Sequence, residues 1–401
     1  MDLKSGYPFW PIRSGLIASY PALTSDASAD IVVIGGGITG ALVAYHLAEA
    51  GVRVIVVDRR DIGGGSTSAS TALLQYEVDT PLIELKDMVG AAAAERSYLL
   101  CRDAIGAIAQ LTQDLGDDCG FARKKSLYFA STRSDARDLE REYQARRAIG
   151  IDLDLLDKRD LAARFSFTAP AALLSADGGQ VDAYRLCHAL IKACVARGAQ
   201  IYDRTVVTRV DHERAGVILR TDRGPTITAR KVVFAAGFEA QQYLRKKVVS
   251  FKASYALISE PLASLPGWGE DQCLIWESAR PYIYMRTTDD GRVLVGGEDD
   301  SNDNEIKRDL SLARKTKTLT RRFQKMFPKI ALDVAYTWAG TFGETKDGLA
   351  YIGETPEVAN AYFALGYGGN GITYSVIAAQ VIRDAFLGKP NPDAAIFRFD
   401  R

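Results

Sequence analysis

The stretch 30–58, "DIVVIGGGITGALVAYHLAEAGVRVIVVD", decides the fold. It opens on the β-branched run "IVVI" and closes on a second, "VRVIVVD", each apolar enough for a strand buried on both faces. Between them "ITGALVAYHLAEAG" has helical spacing. Small Ala41 and Ala44 stand where a helix must lie close to a sheet, and Gly51 ends the pattern. Strand, helix and strand make a βαβ unit. Gly35, Gly37 and Gly40 form G-x-G-x-x-G between the first strand and the helix. The first permits a tight turn, the second lets a pyrophosphate approach the backbone, and the third lets the helix pack on the strand. The pyrophosphate would rest on the free N–H groups of the helix N-terminus, around Ile38 and Thr39. Asp58, 18 residues past Gly40 and next to Arg59, is placed to accept hydrogen bonds from the adenosine ribose. An acid there suits an unphosphorylated ribose and disfavours NADP.

With 401 residues the chain is long enough for two domains or one interleaved pair. It is 47% apolar and 25% charged, with 50 basic residues against 50 acidic ones, which argues against nucleic acid as a partner. The five cysteines (Cys101, Cys119, Cys187, Cys194, Cys273) form no C-x-x-C pair, and the only histidines are His46, His188 and His212. Reduced thiols, no metal site and a cytoplasmic setting are expected. The first 25 residues are broken by Pro8, Pro11 and Pro21 and lack a signal-peptide core. Their aromatic residues Tyr7, Phe9, Trp10 and Tyr20 suggest an arm packed on the main body. No stretch reaches membrane-spanning length.

Farther along, "AAAAERSYLLCRDAIGAIAQL" and "SDARDLEREYQARRAIG" read as helices around the strand "SLYFAS". From 184 to 237 the pattern is a helix, "YRLCHALIKACVARG", then strands "AQIYDRTVVTRVD" and "ITARKVVFAAG". "ASYALISE", "PYIYMRTT" and "RVLVGGED" look like neighbours in an antiparallel sheet. Residues 307–329 make a basic helix, nine Lys/Arg against one Asp, whose apolar stripe (Leu312, Thr316, Leu319, Phe323, Phe327) would cover that sheet.

"KVVFAAG" ends in small residues that let backbone pass close to a ligand, and "GYGGNGIT" (366–373) is a second glycine loop opening a helix. A dinucleotide site that returns to such distant segments suits FAD better than NAD. The motifs "DIVVIGGGITG", "GGGSTSAS", "VVFAAG", "WAGTFGETKDGLAYIG" and "ALGYGGNGIT" together resemble the D-amino-acid oxidase, glycine oxidase and sarcosine oxidase superfamily, nearest its amine-oxidising branch of γ-glutamylputrescine oxidase type. The resemblance implies an α/β architecture. A Rossmann-type FAD domain of glutathione-reductase class (1–88, 155–245, 337–401) would interleave with an antiparallel-sheet substrate domain (89–154, 246–336). It also implies that Ser66, Thr67 and Ser68 line the pyrophosphate and flavin edge. Val206 would present backbone to the adenine, and Gly237 would border the same cavity. Gly368, Gly369, Asn370, Gly371, Ile372 and Thr373 would cap the flavin's pyrimidine side with N–H groups.

The chain departs from its relatives where they hold substrate. Sarcosine oxidases attach FAD to a cysteine in the segment matching Trp338–Pro356; none is present, so the flavin is expected to be non-covalent. Their two carboxylate-binding positions fall here on Gln75 and Thr373, and the Arg of a W-x-G-x-R pattern falls on Phe342. Their oxygen-activating lysine falls on Leu294, which leaves oxygen or another electron acceptor open. In "PYIYMR" a period of two puts Tyr282, Tyr284 and Arg286 on one face, so Arg286 is expected to bind an anionic end of the substrate, with Tyr284 shaping the cavity. Gln75, Tyr76 and Glu77 are further candidates, Glu77 for a cationic amine; Tyr255 and Trp338 are weaker ones. The expected reaction is oxidation of an amine C–N bond, with a small-molecule amine as substrate. A 2-hydroxy-acid or glycerol-phosphate dehydrogenase of the same fold is the rival. It would need a base such as His, and no histidine falls in a segment expected over the flavin. A flavin-bearing sensor or binding protein is the third reading. The sequence does not determine the oligomeric state.

Overall fold

The computed structural model describes residues 3–301 and 304–401; Met1 and Asp2, the first residues of the arm, and Asn302 and Asp303 lie outside the described residues. Three sheets organise the chain. The first has six strands in the order Tyr351–Thr355, Val358–Leu365, Lys231–Phe234, Ile31–Ile34, Val54–Val57, Gln200–Tyr202, all parallel except the first pair. Its central strands are buried on both sides, as their unbroken apolar runs require. Ile31, Val33, Val54 and Val56 point to one face, toward the helices Ile38–Glu49, Gly371–Phe386 and Ala183–Ala196. Val32, Ile34, Ile55 and Val57 point to the other, against Val217, Leu219 and Ile227. Those last residues belong to a small sheet of four strands, Val207–Glu213, Gly216–Thr221, Thr226–Ala229 and Ala27–Ser28.

The small sheet corrects the expectation of two long strands between 199 and 237. "AQIYDRTVVTRVD" breaks between Gln200–Tyr202 and Val207–Glu213, where Arg204 has φ 46° and Asp203 is buried. "ITARKVVFAAG" breaks at Arg230, between Thr226–Ala229 and Lys231–Phe234. At each break the chain leaves one layer for another.

The third sheet has ten strands. Its main path is Lys4–Gly6, Val334–Glu344, Ser250–Ser259, Val293–Asp300, Ile283–Thr287, Leu274–Glu277, Ala122–Phe129, Ala171–Gln180, Leu73–Leu74, with Leu153–Asp157 also on Ala171–Gln180. All pairs are antiparallel except Leu274–Glu277 with Ala122–Phe129. The helix Glu305–Met326 covers it, burying Leu319, Phe323 and the following Phe327 against Tyr255, Leu257 and Val293.

Strand pairing moves the expected boundaries. Ala171–Gln180 falls in the expected cofactor segment 155–245 but hydrogen-bonds to Ala122–Phe129, so it belongs with the large sheet. Val334–Glu344 runs across the 336/337 boundary, paired with Ser250–Ser259 on both sides of it, with a register shift between Ile258 and Ser259. Lys4–Gly6 and Leu73–Leu74, inside 1–88, also pair into the large sheet. The cysteines are unpaired and buried. Among the described residues no helix is long and apolar enough to cross a membrane, and no group of His, Cys, Asp and Glu could hold a metal ion.

Candidate active site

A cavity of about 710 Å³ lies between the carboxyl ends of the parallel strands and one face of the large sheet, where open α/β sheets take ligands. Its first end is made of backbone. Gly35 has φ 114°, and a Cβ there would fall 2.5 Å from the carbonyl oxygen of Ala235. A Cβ on Gly40 would fall 1.8 Å from that of Gly35, so the helix approaches the strand only because no side chain intervenes. Gly35, Gly37, Ile38, Thr39, Asp58 and Arg59 all line the cavity; Gly40 stands behind them. The Asp58 carboxylate accepts the N–H groups of Gly36 and Arg60, both at 2.7 Å, which fixes it at the end of its strand. Burial raises its pKa, and those two donors oppose the rise. Glu239, on the turn Gly237–Tyr243, bridges Arg59 and Arg60 and closes this end.

The loop that carries the single helical turn Ser66–Ala69 crosses the middle. Thr67 Oγ accepts the Ile38 amide at 2.9 Å, tying the loop to the helix N-terminus. Two indoles hold its far side: Trp338 Nε1 donates to the Ala69 carbonyl at 2.8 Å and Trp10 Nε1 to that of Ser70 at 2.6 Å. Ser66 and Thr67 line the cavity. Ser68 does not: it is buried, donating to the Gly65 carbonyl and accepting from Lys4 Nζ. The N-terminal arm thus bears on the loop, with Phe9 and Trp10 buried, Leu3 in the cavity wall and Tyr7 71% exposed. Val206 and Gly237 line the cavity. The Val206 N–H donates to the Asp222 carboxylate at 3.2 Å, and its carbonyl accepts the Asp222 N–H at 3.0 Å.

At the second glycine loop, Gly368, Gly369, Asn370, Gly371 and Ile372 line the cavity. The Gly368 amide is taken by the Gly343 carbonyl and the Gly369 amide by Asp79 Oδ2, each at 2.9 Å. Gly371 and Ile372 open the helix Gly371–Phe386, whose first-turn amides have no carbonyl behind them. Asn370 Nδ2 reaches back to the carbonyls of Gln75 and Glu77. Thr373 lies behind the loop, buried, its hydroxyl donating to the Asn370 carbonyl. Its side chain is spent on the helix start and is not in the cavity wall.

The opposite end is made of side chains: Gln75, Glu77, Asp79, Ser254, Tyr255, Trp276, Arg280, Tyr282, Tyr284, Trp338 and Phe342. Gly296 makes room for the Tyr284 ring, since a Cβ there would meet it at 2.4 Å. Burial pushes the Tyr284 hydroxyl up to about 12, so it stays protonated and acts as a donor.

Arg286 is a correction. It shares the Tyr284 face but is only 2% exposed and absent from the cavity wall. Its Nη1 donates to the carbonyls of Ala72 and Val181 at 2.9 and 3.1 Å, and its guanidinium lies over the Trp10 ring. It ties the arm, the flavin loop and the large sheet together. The cation that does line this end of the cavity is Arg280, over the Tyr282 ring and with no ion pair among the described residues. Counting back by two from Tyr284 through Tyr282 reaches it. Asp79, also missed, follows from the same alternation in "QYEVD".

This lining fits FAD. The glycine turns leave room for a pyrophosphate, and an acid stands at the ribose position. Gln75 Nε2 and Trp276 Nε1, buried in the wall, have no hydrogen-bond partner, as expected of groups that meet a ligand. The family model described as FAD dependent oxidoreductase (DAO) matches residues 30–385.

The chain belongs to the FAD-dependent oxidoreductase family.

It is 28% identical over 370 residues to the glycine oxidase of Geobacillus kaustophilus, covering 88% of this chain and 92% of that one. It is 27% identical over 407 residues to the gamma-glutamylputrescine oxidoreductase of Escherichia coli, covering 95% and 88%. The crystal structure of the Geobacillus kaustophilus glycine oxidase superposes with a TM-score of 0.79 at 25% identity, covering 94% of this chain and 99% of that chain. An L-proline dehydrogenase from P. horikoshii has the same fold, with a TM-score of 0.77 at 19% identity over 94% of this chain and 99% of that one. The protein is therefore an FAD-dependent oxidoreductase. Gly35, Gly37, Ile38, Thr39, Asp58, Ser66, Thr67, Gly371 and Ile372 line the cavity.

Proposed function

We propose that the enzyme oxidises a C–N bond of an amine or N-substituted amino acid, with non-covalent FAD. The flavin, when bound, supplies the hydride acceptor, N5; the imine product is then hydrolysed by water. The observation that carries this reading is the make-up of the side-chain end of the cavity: carboxylates, one arginine and aromatic rings, with no histidine in the wall. His46 lies in the dinucleotide helix and burial holds its pKa down to about 4. His188 is buried in another helix, and His212 faces the Ala359 carbonyl. Taking hydride from an alcohol requires removing, in the same event, a hydroxyl proton far less acidic than an ammonium proton, beyond what a carboxylate takes up readily. A neutral amine instead pushes out hydride with its own lone pair, and needs orientation and a dry site.

The relatives named glycine oxidase and gamma-glutamylputrescine oxidoreductase support the same class of substrate. Arg280, the arginine of this end of the wall, is the group for an anionic end of the substrate. Tyr282, Tyr284 and Trp276 enclose the apolar part. Oxygen or another acceptor returns the enzyme to its oxidised form.

The test is product analysis. The FAD-loaded enzyme is incubated with N-substituted amino acids, amino acids and polyamines, and the carbonyl product is trapped with a hydrazine. One carbonyl and one released amine per turnover are expected. A carbonyl formed only from 2-hydroxy acids would overturn the reading.

A further inference from the structure

The extended segment after the flavin loop presents Gln75, Glu77 and Asp79 to the cavity. Asp79 is already engaged by the Gly369 amide. Glu77 is not matched in the same way. It is 4% exposed, and its Oε2 has no hydrogen-bond partner. Its Oε1 faces Arg146 Nη1 at 3.4 Å. That guanidinium is shared: Arg146 Nε donates to Glu142 Oε1 at 2.8 Å, and the cation lies among the rings of Tyr76, Tyr98 and Tyr128. Glu142 itself accepts the Leu82 and Ile83 amides, which hold it in place. The shorter contact draws the cation toward Glu142, so Glu77 is only partly neutralised. Meanwhile Asn370 Nδ2 donates to the Glu77 backbone carbonyl at 2.9 Å, which ties this stretch of chain to the glycine loop of the cofactor site.

We propose that Glu77 receives the substrate's ammonium group and takes its proton before oxidation. This rests on the amine reading above. In the step, an N–H bond of the ammonium breaks and an O–H bond forms on Glu77 Oε2. A cationic amine and a carboxylate become a neutral amine and a carboxylic acid, and no electrons leave either partner. The freed lone pair is the one that oxidation requires. The substrates are therefore primary or secondary ammonium ions, which a carboxylate both attracts and deprotonates.

Burial pushes Glu77 up to about 7, against the pull of Arg146, while Asp177 and Glu142 reinforce the rise. Tyr76, and Tyr98 and Cys101 of the helix Ala91–Leu115, complete the titratable surroundings; burial keeps all three protonated. A carboxyl near neutrality is matched to exchange a proton with an amine at working pH.

Glu77→Gln keeps the shape and an oxygen facing Arg146 but removes the proton acceptor. The rate of anaerobic flavin reduction by a secondary amine is measured against pH in both proteins. In the wild type the rate is expected to fall as pH drops through about 7, where Glu77 takes up a proton. In the variant this inflection is lost. The rate at neutral pH drops about 10²-fold and recovers in alkali, where solvent deprotonates the amine. An unchanged inflection with rates within about threefold would overturn the proposal; if no amine reduces even the wild type, the amine reading falls first.

A second measurement does not depend on turnover. A carboxyl raised on folding contributes stability that is complete below the usual carboxylate range and is lost as pH rises through about 7. The melting temperature of the flavin-free wild type should therefore fall over that window relative to Glu77→Gln. A difference between the two that does not vary with pH would overturn the proposal. Should Glu77→Gln fail to fold, Glu142→Gln serves: it turns Arg146 fully onto Glu77, and the inflection in the reduction rate should move to lower pH. An inflection that stays in place would count against the proposal.

Discussion

The two ends of the cavity are built from different material. The cofactor end is backbone: glycines that admit no Cβ, helix first turns and a strand-end acid. The other end, proposed here for the substrate, is side chains, carried on five stretches of chain from Gln75 to Phe342, and a buried charge network, Glu77–Arg146–Glu142, runs back from it. Backbone geometry is set by a local motif and leaves little freedom to vary. A wall of side chains can change its chemistry residue by residue without disturbing the fold.

The comparison can be broken from either end. The largest effect belongs to Arg146→Ala, which leaves two buried carboxylates unpaired and should cost about 3–5 kcal/mol in urea unfolding. An unfolding free energy within experimental error of wild type would mean that water reaches the network. Next is Gly40→Ala. Its Cβ would fall 1.8 Å from the Gly35 carbonyl oxygen, so the helix must lift, at about 1–3 kcal/mol. The visible flavin band should disappear on desalting, whereas Arg146→Ala, where folded, keeps it. Arg280→Ala should act only at the other end. KM for a carboxylate-bearing amine should rise about tenfold or more, equivalent to roughly 1.5–3 kcal/mol for a charge-assisted hydrogen bond. Both kcat and FAD affinity should stay near wild type; a fall in kcat alone would place Arg280 elsewhere in the reaction. Smallest is Trp10→Phe, which removes one indole donor from the Ser70 carbonyl. It should weaken FAD binding by about 1 kcal/mol, read by fluorescence titration of the flavin.

The same division explains what could be read from the sequence. The βαβ unit, the glycines and Asp58 were legible because each obeys a short-range rule: strand, turn, helix, strand end. The second glycine loop was legible in the same way, down to the helix that follows it. Arg286 was not. Period two names the face of a strand and says nothing of how far along it a cavity runs. Arg286 stands about 7 Å beyond Tyr284 at the usual strand rise, past the edge and under Trp10. Only the tertiary position of the N-terminal arm shows that, and the arm carries no periodic signal. Thr373 failed for a related reason: in a helix first turn, a threonine hydroxyl finds the preceding carbonyl before it finds a ligand. The breaks at 203–206 and 230 were invisible because both halves of each run are equally β-prone, and it is the change of layer that divides them.

The most direct test of the account sets two substrates that share a two-carbon acid against the FAD-loaded enzyme without oxygen: N-methylglycine, with nitrogen on the α-carbon, and glycolate, with oxygen there. The account predicts that the amine bleaches the flavin's visible band, faster as pH rises through neutrality, and that glycolate leaves it intact. Bleaching by glycolate, with the amine inert, would contradict it.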